Sequence, residues 1–486
     1  MVASIPDRDN FMNNNPKEKA QRRAKRLTRI KAARNRKKKE LNEQLHRQNQ
    51  NQTVASQMYR IIQKFFPDLF KWMREIEDFR HKSEYELASI ITACIAMFLF
   101  KSDSRNSFYN LQKDPKFQKN YKKLFKLQLP HPDTVNRVMK RLDEEHLNEL
   151  KKSMVQVLLN RKTLHKYRLL NKYFEIAVDA TGQASFDYKH CENCLHRTSK
   201  KSGKTTYFHN VLEAKLVTSN GFAISLGTEW IENGDTEYEK QDCERKAFVR
   251  LAKKLKGDFP RLPICIVADG LYPYQGFFDI CRDNSWRYIA NFKDGCLPTV
   301  WRKVDSQGAL QRANCRQQTR TKGNKSLKND YRWVTDIDYR GHNMHWMECV
   351  EIVRTPNKKD SSTRFVYVTD LMPDRANIAE LIAAGRLRWK IENEGFNEQK
   401  NGGYNLKHKF ARNSYLATKN YYQCLQIAHM INQLLVMSKD FQELLIGKMT
   451  LKHLWRCLQG FMGYGDIDEA ELDAIDAKKC QIRFVT

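Results

Sequence analysis

The first third of the chain carries apolar residues at the spacing of an α-helix. In residues 54–168 they recur three or four positions apart, as in Met58, Ile61, Ile62 and Phe65. This spacing places apolar side chains on one face of a helix. We therefore expect a helical region over 54–168. It could present a basic helix to DNA, or it could be a helical support with an ordinary solvated face.

From Tyr173 onward the pattern changes to short apolar runs that are typical of β-strands. Two of them are separated by Ser219-Asn220-Gly221, which predicts a hairpin. Residues 236–256 predict a helix that follows the hairpin. The strand-like runs, in chain order, read YFEIAVDA, TTYFHNVLEAKLV, GFAISLGTEWI, LPICIVADG and WRYIANF. Strands alternating with helices indicate an α/β fold that mixes antiparallel and parallel pairs.

The remainder predicts a β-rich insertion followed by helices. The insertion should include the strand-like runs TVWRKV, YRWVTDIDYR, HWMECVEIV and TRFVYVTDL, with helices over 377–400 and 414–460. The division we predict is a basic, disordered arm (1–53), a helical DNA-binding region (54–168), a first core part (169–295), the β-rich insertion (296–370), a final core helix (371–435) and a helical tail (436–486).

Charge narrows the class of partner. The chain has 86 Lys and Arg against 56 Asp and Glu, a formal net charge of +30. The excess is concentrated in residues 17–47, 101–168, 301–332 and 385–420. Zoned positive charge is what a surface that follows a phosphate backbone requires, so nucleic acid is the expected partner.

Membrane insertion and secretion are not expected. The most apolar run, residues 87–100, is shorter than the roughly 20 residues that a membrane span needs. The start, MVASIPDRDNF, lacks the apolar core of a secretory signal, and the 12 cysteines are scattered. We expect a cytoplasmic protein that associates with the nucleoid.

Candidate chemistry lies at the ends of two predicted strands. Asp179 and Asp269 each end an apolar run, and acids at such positions lie at the mouth of an α/β sheet. Two carboxylates brought together repel unless a divalent cation such as Mg²⁺ neutralises them. A third acid is expected on the 377–400 helix. Glu392 has Arg388 on the same helical face, and Glu394 and Glu398 compete with it.

These motifs, taken in order, resemble those of a known family. The runs AVDATG, IVADG and GRLRWKIENEGFNEQK resemble the DDE transposases of bacterial insertion sequences. They are most similar to the group with a ribonuclease-H-like core, a β-rich insertion and a Tyr-x2-Arg-x3-Glu-x6-Lys signature. The resemblance covers about residues 130–435. It implies a mixed α/β sheet with helices, interrupted by the insertion and preceded by an all-α DNA-binding region.

The resemblance also implies roles for particular residues. The catalytic, metal-binding acids fall on Asp179, Asp269 and Glu392, and the signature arginine falls on Arg388. The match is partial at two positions. The signature tyrosine position holds Gly385, and the signature lysine position holds Gln399, with Lys400 one residue later.

By resemblance, the activity is metal-dependent cleavage of DNA at the ends of an insertion sequence, followed by strand transfer into target DNA. Mg²⁺ is the implied cofactor and Mn²⁺ can substitute. The partners are double-stranded DNA and a second copy of the chain. Trp301, Trp333 and Trp346 of the insertion are candidates for stacking on a displaced base. The alternatives are a structure-specific nuclease that does not join strands, and an inactive transposase retained as a DNA-binding protein.

Two smaller motifs remain. Cys191 and Cys194, with His196 and His209 as further ligands, could form a structural zinc site, and a solvated loop with two free thiols is the alternative.

Residues 407–420 carry three cations that are candidates for DNA phosphate contact, Lys407, Lys409 and Arg412. An ordinary solvated helix face is the alternative interpretation of this stretch.

Overall fold

The computed structural model describes residues 53–233, 240–356, 359–445, 449–477 and 481–485. The predicted basic arm, apart from its last residue, lies outside these ranges. Among the described residues, no helix is both long enough and apolar enough to cross a bilayer.

Helices come before, between and after the strands. Those before the sheet are α1 (53–65), α2 (Leu69–Glu75), α3 (Leu87–Leu99), α4 (Arg105–Gln112), α5 (Pro115–Phe125), α6 (Pro132–Met139) and α7 (Glu144–Asn160). Those between and after the strands are α8 (Glu244–Asp258), α9 (Gln275–Asp283), α10 (Pro298–Leu310), α11 (Ile378–Leu387), α12 (Glu398–Asn401), α13 (Tyr415–Met437), α14 (Lys439–Gln442), α15 (Leu451–Tyr464) and α16 (Glu469–Ala477). A π-helical segment, Ile391–Asn397, leads directly into α12.

The strands form one mixed sheet. They are β1 (Phe174–Phe186), β2 (Leu195–Thr198), β3 (Thr205–Val217), β4 (Ala223–Ile231), β5 (Ile264–Ala268), β6 (Arg287–Asn291), β7 (Cys315–Lys322), β8 (Lys325–Tyr339), β9 (His342–Arg354) and β10 (Ser361–Thr369). The spatial order is β2-β3-β1-β5-β6-β10-β9-β8-β7, with β4 also paired to β3. The β1–β5 and β5–β6 pairs are parallel and the others are antiparallel. The chain is therefore a mixed α/β protein, as the alternating pattern predicts.

Both faces of the sheet are covered by other parts of the chain. The central strands are apolar at consecutive positions, as burial on both faces requires. Along β1, Ile176 and Val178 belong to one hydrophobic cluster, and Ala177 belongs to another that includes Ile378 and Leu381 of α11. Side chains alternate between the two faces of a strand, so α11 covers the face that carries the odd-numbered residues of β1. A strand buried on both sides reads as a continuous apolar run, which is why YFEIAVDA is recognisable in the sequence.

The early helices pack against α13, the long helix that follows the Glu392 segment. The side-chain amide of Asn420 in α13 donates hydrogen bonds to the carbonyl oxygens of Met139 and Leu142, and all three residues lie in the interior. α13 also packs against α3, α7 and β4. The helical region is thereby attached to the same helix that borders the sheet.

Two predicted elements differ from the structure. The hairpin is confirmed as β3 and β4, but TVWRKV, expected as a strand, lies in helix α10, which begins at Pro298. Proline is favoured in the first turn of a helix, and this start signal outweighs the β-branched residues that follow. Within the predicted helix over 236–256, residues 240–243 are not helical and α8 begins at Glu244, while residues 236–239 lie outside the described ranges.

Candidate functional site

The two aspartates occupy equivalent places on neighbouring strands. Ala177 of β1 pairs with Val267 of the parallel strand β5. Asp179 and Asp269 each lie two residues beyond that pair. Because side chains alternate along a strand, Asp179 projects from the face on which Ala177 packs against α11. Asp269 directly follows the last residue of β5. The sheet therefore brings the two aspartates to the same end.

Glu392 reaches this end of the sheet through Arg388. The Arg388 side chain is only 9% exposed; its Nη1 donates a hydrogen bond to Oε1 of Glu392 and lies 3.7 Å from Oδ2 of Asp179. The guanidinium thus stands between the two carboxylates. Asp179 Oδ1 accepts the backbone N–H of Ala180 at 2.9 Å.

The two competing acids of the same helix, Glu394 and Glu398, form ion pairs with other cations. Glu394 forms an ion pair with Lys390, and Glu398 pairs with Lys101 of the early helical region at 2.8 Å. Each of these acids therefore has a separate cation. Of the three glutamates, Glu392 is the one that shares a cation with Asp179.

The environment of Asp179 opposes its charged form. Burial raises the pKa of Asp179 to about 7, the negative charges of Glu244 and Glu392 add to the rise, and Arg388 opposes it. A carboxyl with this pKa lies in a site that lacks positive charge. Additional cations would therefore favour ionisation of Asp179.

Glu244 is a fourth acid at this site, and sequence reasoning missed it. Burial raises its pKa, a hydrogen bond from the Tyr272 hydroxyl at 2.8 Å lowers it, and the charge of Asp269 raises it further. Its charge therefore acts on both Asp179 and Asp269. Glu244 is the first residue of α8, whereas the sequence pattern placed it inside a longer predicted helix and gave no sign of a helix start there.

A fifth carboxylate lies beside Asp179 but is already neutralised. Glu213 is the cross-strand partner of Asp179 on β3 and is fully buried. Its carboxylate lies 3.4 Å from the ammonium of the equally buried Lys215 and accepts a hydrogen bond from Thr228. Glu213 is therefore part of an internal ion pair.

The π-helical segment decides which residue stands at the signature lysine position. In a regular α-helix, the seventh residue after Glu392 lies about 20° from its face and the eighth about 80° away. A π-helix closes its hydrogen bonds over one more residue, so the eighth residue moves toward the face that the seventh would occupy. Gln399, the seventh, is fully buried and donates a hydrogen bond to Gln426. Lys400, the eighth, lies close enough to Asp179 and Glu392 for their charges to act on it.

The electrostatics of Lys400 agree with this position. Burial lowers the pKa of Lys400, the charge of Lys407 lowers it further, and Asp179 and Glu392 raise it. The ammonium group lies 5.7 Å from the ring centre of Phe396. Lys400 and Lys407 therefore form a pair of neighbouring cations next to the acids.

The signature tyrosine position has no room for a side chain. A Cβ at Gly385 would lie 2.7 Å from Cε1 of Tyr367, which projects from β10. Burial raises the pKa of the Tyr367 phenol to about 12, and the charges of Arg386 and Arg388 oppose the rise. An aromatic ring therefore does pack beside Arg388, but it comes from the sheet.

The three candidate tryptophans line one pocket. Trp301, Trp333 and Trp346 line a cavity of about 330 Å³ together with Arg332 and Arg364. Trp301 is half-buried, stacks on Phe292 at 5.0 Å and has the Arg364 guanidinium 5.8 Å from its ring centre. Trp333 and Trp346 are buried. Aromatic faces with adjacent guanidinium groups suit a planar, anion-linked ligand such as a nucleotide.

A separate group of possible metal ligands lies beyond the end of β1. The Sγ atoms of Cys191 and Cys194 are 3.7 Å apart, and the Nε2 of His209 lies 3.2 Å from the first and 3.3 Å from the second. The fourth member is His190, and the donor atoms of all four lie within 4.8 Å of one another. We call these four residues the His/Cys cluster. It is the one such group of three or more metal-binding side chains found among the described residues.

His196, the other histidine that the sequence suggested as a ligand, is not a member of this group. His196 lies on the edge strand β2, where it is exposed and pairs with Tyr207, two residues before His209 on β3. His190 takes the fourth position, and its place directly before Cys191 was the available signal.

Two of the three basic candidates after the acids, Lys409 and Arg412, border this cluster, whereas Lys407 is a neighbour of Lys400. Lys407 and Arg412 are exposed, and the half-buried Lys409 has its ammonium 4.4 Å from the ring centre of Phe186. The carbonyl oxygen of Arg412 accepts a hydrogen bond from Nε2 of His190. All three cations lie in the irregular segment before α13, not on the helix face that the sequence suggested as an alternative.

Comparison of the chain with protein-family models and with curated proteins finds no match.

Proposed function

We propose that the protein is a DNA transposase, which cleaves DNA at the ends of an insertion sequence with a divalent cation and transfers the cut strand into target DNA. The observation that carries the proposal is the equivalent placement of Asp179 and Asp269 at the same end of two neighbouring parallel strands, with Arg388 between Asp179 and Glu392. Carboxylates converging from two strands and a helix suit metal-assisted phosphoryl transfer.

An RNase-H-like core is part of the proposal. The antiparallel strands β4, β3 and β1 are followed by the parallel strands β5 and β6, and helices connect β4 to β5 and β5 to β6. The aspartates lie on the central pair. Strands β7 to β10 are inserted between Asp269 and Glu392 and extend the sheet outward from β6. This arrangement supports a catalytic core with a β-rich insertion.

Magnesium is the proposed ion. Asp179, Asp269 and Glu392 supply the carboxylate oxygens that Mg²⁺ prefers, and the raised pKa of Asp179 indicates a shortage of positive charge. Mg²⁺, or Mn²⁺ in its place, would supply Lewis-acid stabilisation of the attacking and leaving oxygens of a phosphodiester.

The cationic side chains would act on the DNA. Arg388 forms an ion pair with Glu392 and could exchange this carboxylate for a phosphate oxygen when a DNA strand enters. Lys400 and Lys407 are placed to contact the backbone beside the scissile phosphate. In the insertion, the tryptophan pocket would hold a displaced base, with stacking worth ~1–3 kcal/mol.

The other basic zones would follow the duplex, and a second copy of the chain would process the other end of the element.

Cleavage of a defined substrate tests the proposal. Labelled duplexes would be prepared from the DNA that flanks the coding sequence, up to a few hundred bases on each side, and incubated with the full chain and Mg²⁺. We expect cutting at one position on each side, lost in Asp179→Asn because the metal-binding oxygen is replaced by an amide. Glu394→Gln, which changes an acid of the same helix outside the site, should cut as wild type does. Equal cutting by wild type and Asp179→Asn would overturn the proposal.

Strand joining separates this function from that of a nuclease. A duplex with a pre-cleaved 3′ hydroxyl end would be supplied together with a supercoiled target plasmid. A transposase inserts the labelled end into the plasmid, whereas a nuclease leaves it unjoined. Binding without cleavage in either Mg²⁺ or Mn²⁺ would indicate an inactive DNA-binding protein.

A further inference from the structure

The His/Cys cluster has the dimensions of a tetrahedral zinc site. With Zn–S distances near 2.3 Å and Zn–N distances near 2.0–2.1 Å, tetrahedral geometry puts two sulfurs about 3.8 Å apart and a sulfur and a nitrogen about 3.6 Å apart. The separations are 3.7 Å between the sulfurs of Cys191 and Cys194, and 3.2 and 3.3 Å from these to the His209 nitrogen. The atoms are thus spaced as the edges of one small tetrahedron.

The fourth corner has a donor atom that lacks a partner. Nδ1 of His190 is buried and has no hydrogen-bond partner among the described residues. The other ring nitrogen, Nε2, faces the carbonyl oxygen of Arg412, which can only accept a hydrogen bond. Nε2 therefore carries the proton and Nδ1 carries a lone pair. A metal-bound histidine usually has this arrangement, in which a backbone carbonyl fixes the tautomer from the second nitrogen.

We propose that His190, Cys191, Cys194 and His209 bind one structural Zn²⁺ ion. Two thiolates and two imidazoles form a common zinc ligand set, and four protein ligands leave no open position for a substrate. The two sulfurs do not form a disulfide, since their separation far exceeds the bond length of about 2.05 Å.

Aromatic rings enclose the site. Phe186, the last residue of β1, stacks on the His190 ring at 4.2 Å, and Tyr415 packs on His209 at the same distance. Cys194 and His209 are buried. A closed site with apolar walls is typical of a structural ion.

The proposed ion would join three parts of the chain that are distant in sequence. His190 and the cysteines follow the strand that carries Asp179, His209 lies on β3, and the Arg412 carbonyl belongs to the basic segment after Lys400. The zinc would thus fix the basic segment to the far end of the catalytic strand. This assignment does not depend on the proposed DNA chemistry, because it rests only on the ligand geometry.

Metal analysis of the full-length protein tests the assignment. Wild type, produced in zinc-supplemented medium and passed through a desalting column, should contain about one zinc per chain. His190→Ala and Cys194→Ser should lose most of it. His196→Ala is the matched control, because it removes a neighbouring histidine that is not one of the four residues of the cluster, and it should retain the metal. Zinc-free wild type, or zinc lost equally in His196→Ala and His190→Ala, would overturn the proposal.

Cobalt substitution makes the test independent of how well the variants fold. Wild type refilled with Co²⁺ should show the visible absorption and thiolate charge-transfer bands of a tetrahedral Cys₂His₂ site, and X-ray absorption of the zinc form should fit two sulfur and two nitrogen neighbours. A spectrum typical of six oxygen or nitrogen ligands would contradict the ligand set. Cys315→Ser, which removes an exposed thiol of β7, should leave the cobalt spectrum unchanged.

Discussion

The acid site and the His/Cys cluster are both built on β1, yet they are prepared for metal in opposite ways. In the cluster, three donor atoms already lie 3.2–3.7 Å apart. In the acid site, the Arg388 guanidinium stands between Asp179 and Glu392. Neutral thiols and imidazoles can crowd together without an ion, whereas carboxylates repel and need a cation between them. We infer that the proposed zinc site is preformed, while the proposed catalytic site remains adjustable until its substrate arrives.

The largest expected effect is a loss of DNA cleavage on mutation of the acid site, with no change at the His/Cys cluster. Asp269→Asn should lower Mg²⁺-dependent cleavage by at least about 10³-fold, because several kcal/mol of transition-state stabilisation depend on the metal. Its zinc content should equal that of wild type. Cleavage rate and zinc content would be measured on the same preparation. Loss of zinc in Asp269→Asn would show that the two sites are coupled, contrary to this comparison.

Selective removal of zinc should have the next largest effect. A zinc-selective chelator in the presence of excess Mg²⁺ should lower the melting temperature by about 5 °C or more, because the ion binds the folded chain and not the unfolded one. Differential scanning fluorimetry would measure the change. His190→Ala should melt at the same temperature with and without the chelator, and a chelator-induced fall in this variant would indicate another zinc site.

The pH dependence of stability tests the acid site alone. The pKa of Asp179 rises from its ordinary value of 3.8 to about 7 in the folded protein. Its contribution to stability is therefore fully present below about pH 4 and is lost as the pH rises through 7. Asp179→Asn should be more stable than wild type at pH 8 by roughly 2–4 kcal/mol, and the difference should vanish near pH 4.

Thermal melts in magnesium-free buffer at the two pH values would reveal this difference. Added Mg²⁺ should raise the melting temperature of wild type at pH 8 and leave Asp179→Asn nearly unchanged. A stability difference that does not depend on pH would show that Asp179 is not held in an unfavourable charge state.

The smallest expected effect concerns DNA affinity. Lys400→Gln should weaken binding to an element end about 3- to 10-fold and reduce the salt dependence by about one phosphate contact. Fluorescence anisotropy at several salt concentrations would measure both. Adding Gln399→Lys should not restore affinity, because position 399 is buried against Gln426. Restored affinity would mean that the π-helical segment does not set the register of this face.

Much of the fold was predictable because strands buried on both faces leave long apolar runs. The ends of YFEIAVDA and LPICIVADG placed Asp179 and Asp269 two residues beyond a paired position on neighbouring strands. The start of α10 was not predictable from β-branched residues alone, since Pro298 overrides them. Propensity is a weak prior where a strong start signal competes with it.

The parts of the site that escaped prediction depend on contacts between distant segments. Glu244 has no motif, and its role follows from its proximity to Asp179 and Asp269. His190 and His196 could not be distinguished as ligands from the sequence, because both lie close to the cysteines in the chain. The fold places His190 in the group with His209, whereas His196 lies on the edge strand β2. Lys400 depends on a single π-helical segment, which the sequence does not announce.

Because Gly385 and Tyr367 are in contact, substitutions at these two positions should depend on each other. Restoring a tyrosine at 385 would put two rings in one space, since even a Cβ there would meet the Tyr367 ring at 2.7 Å. The exchange is tolerable only if position 367 becomes small at the same time, so the pair should show strong coupling in a double-mutant cycle. The space that a tyrosine side chain at position 385 would fill is thus filled by the ring of Tyr367 from β10. An aromatic ring can reach the same space from a strand that is distant in sequence.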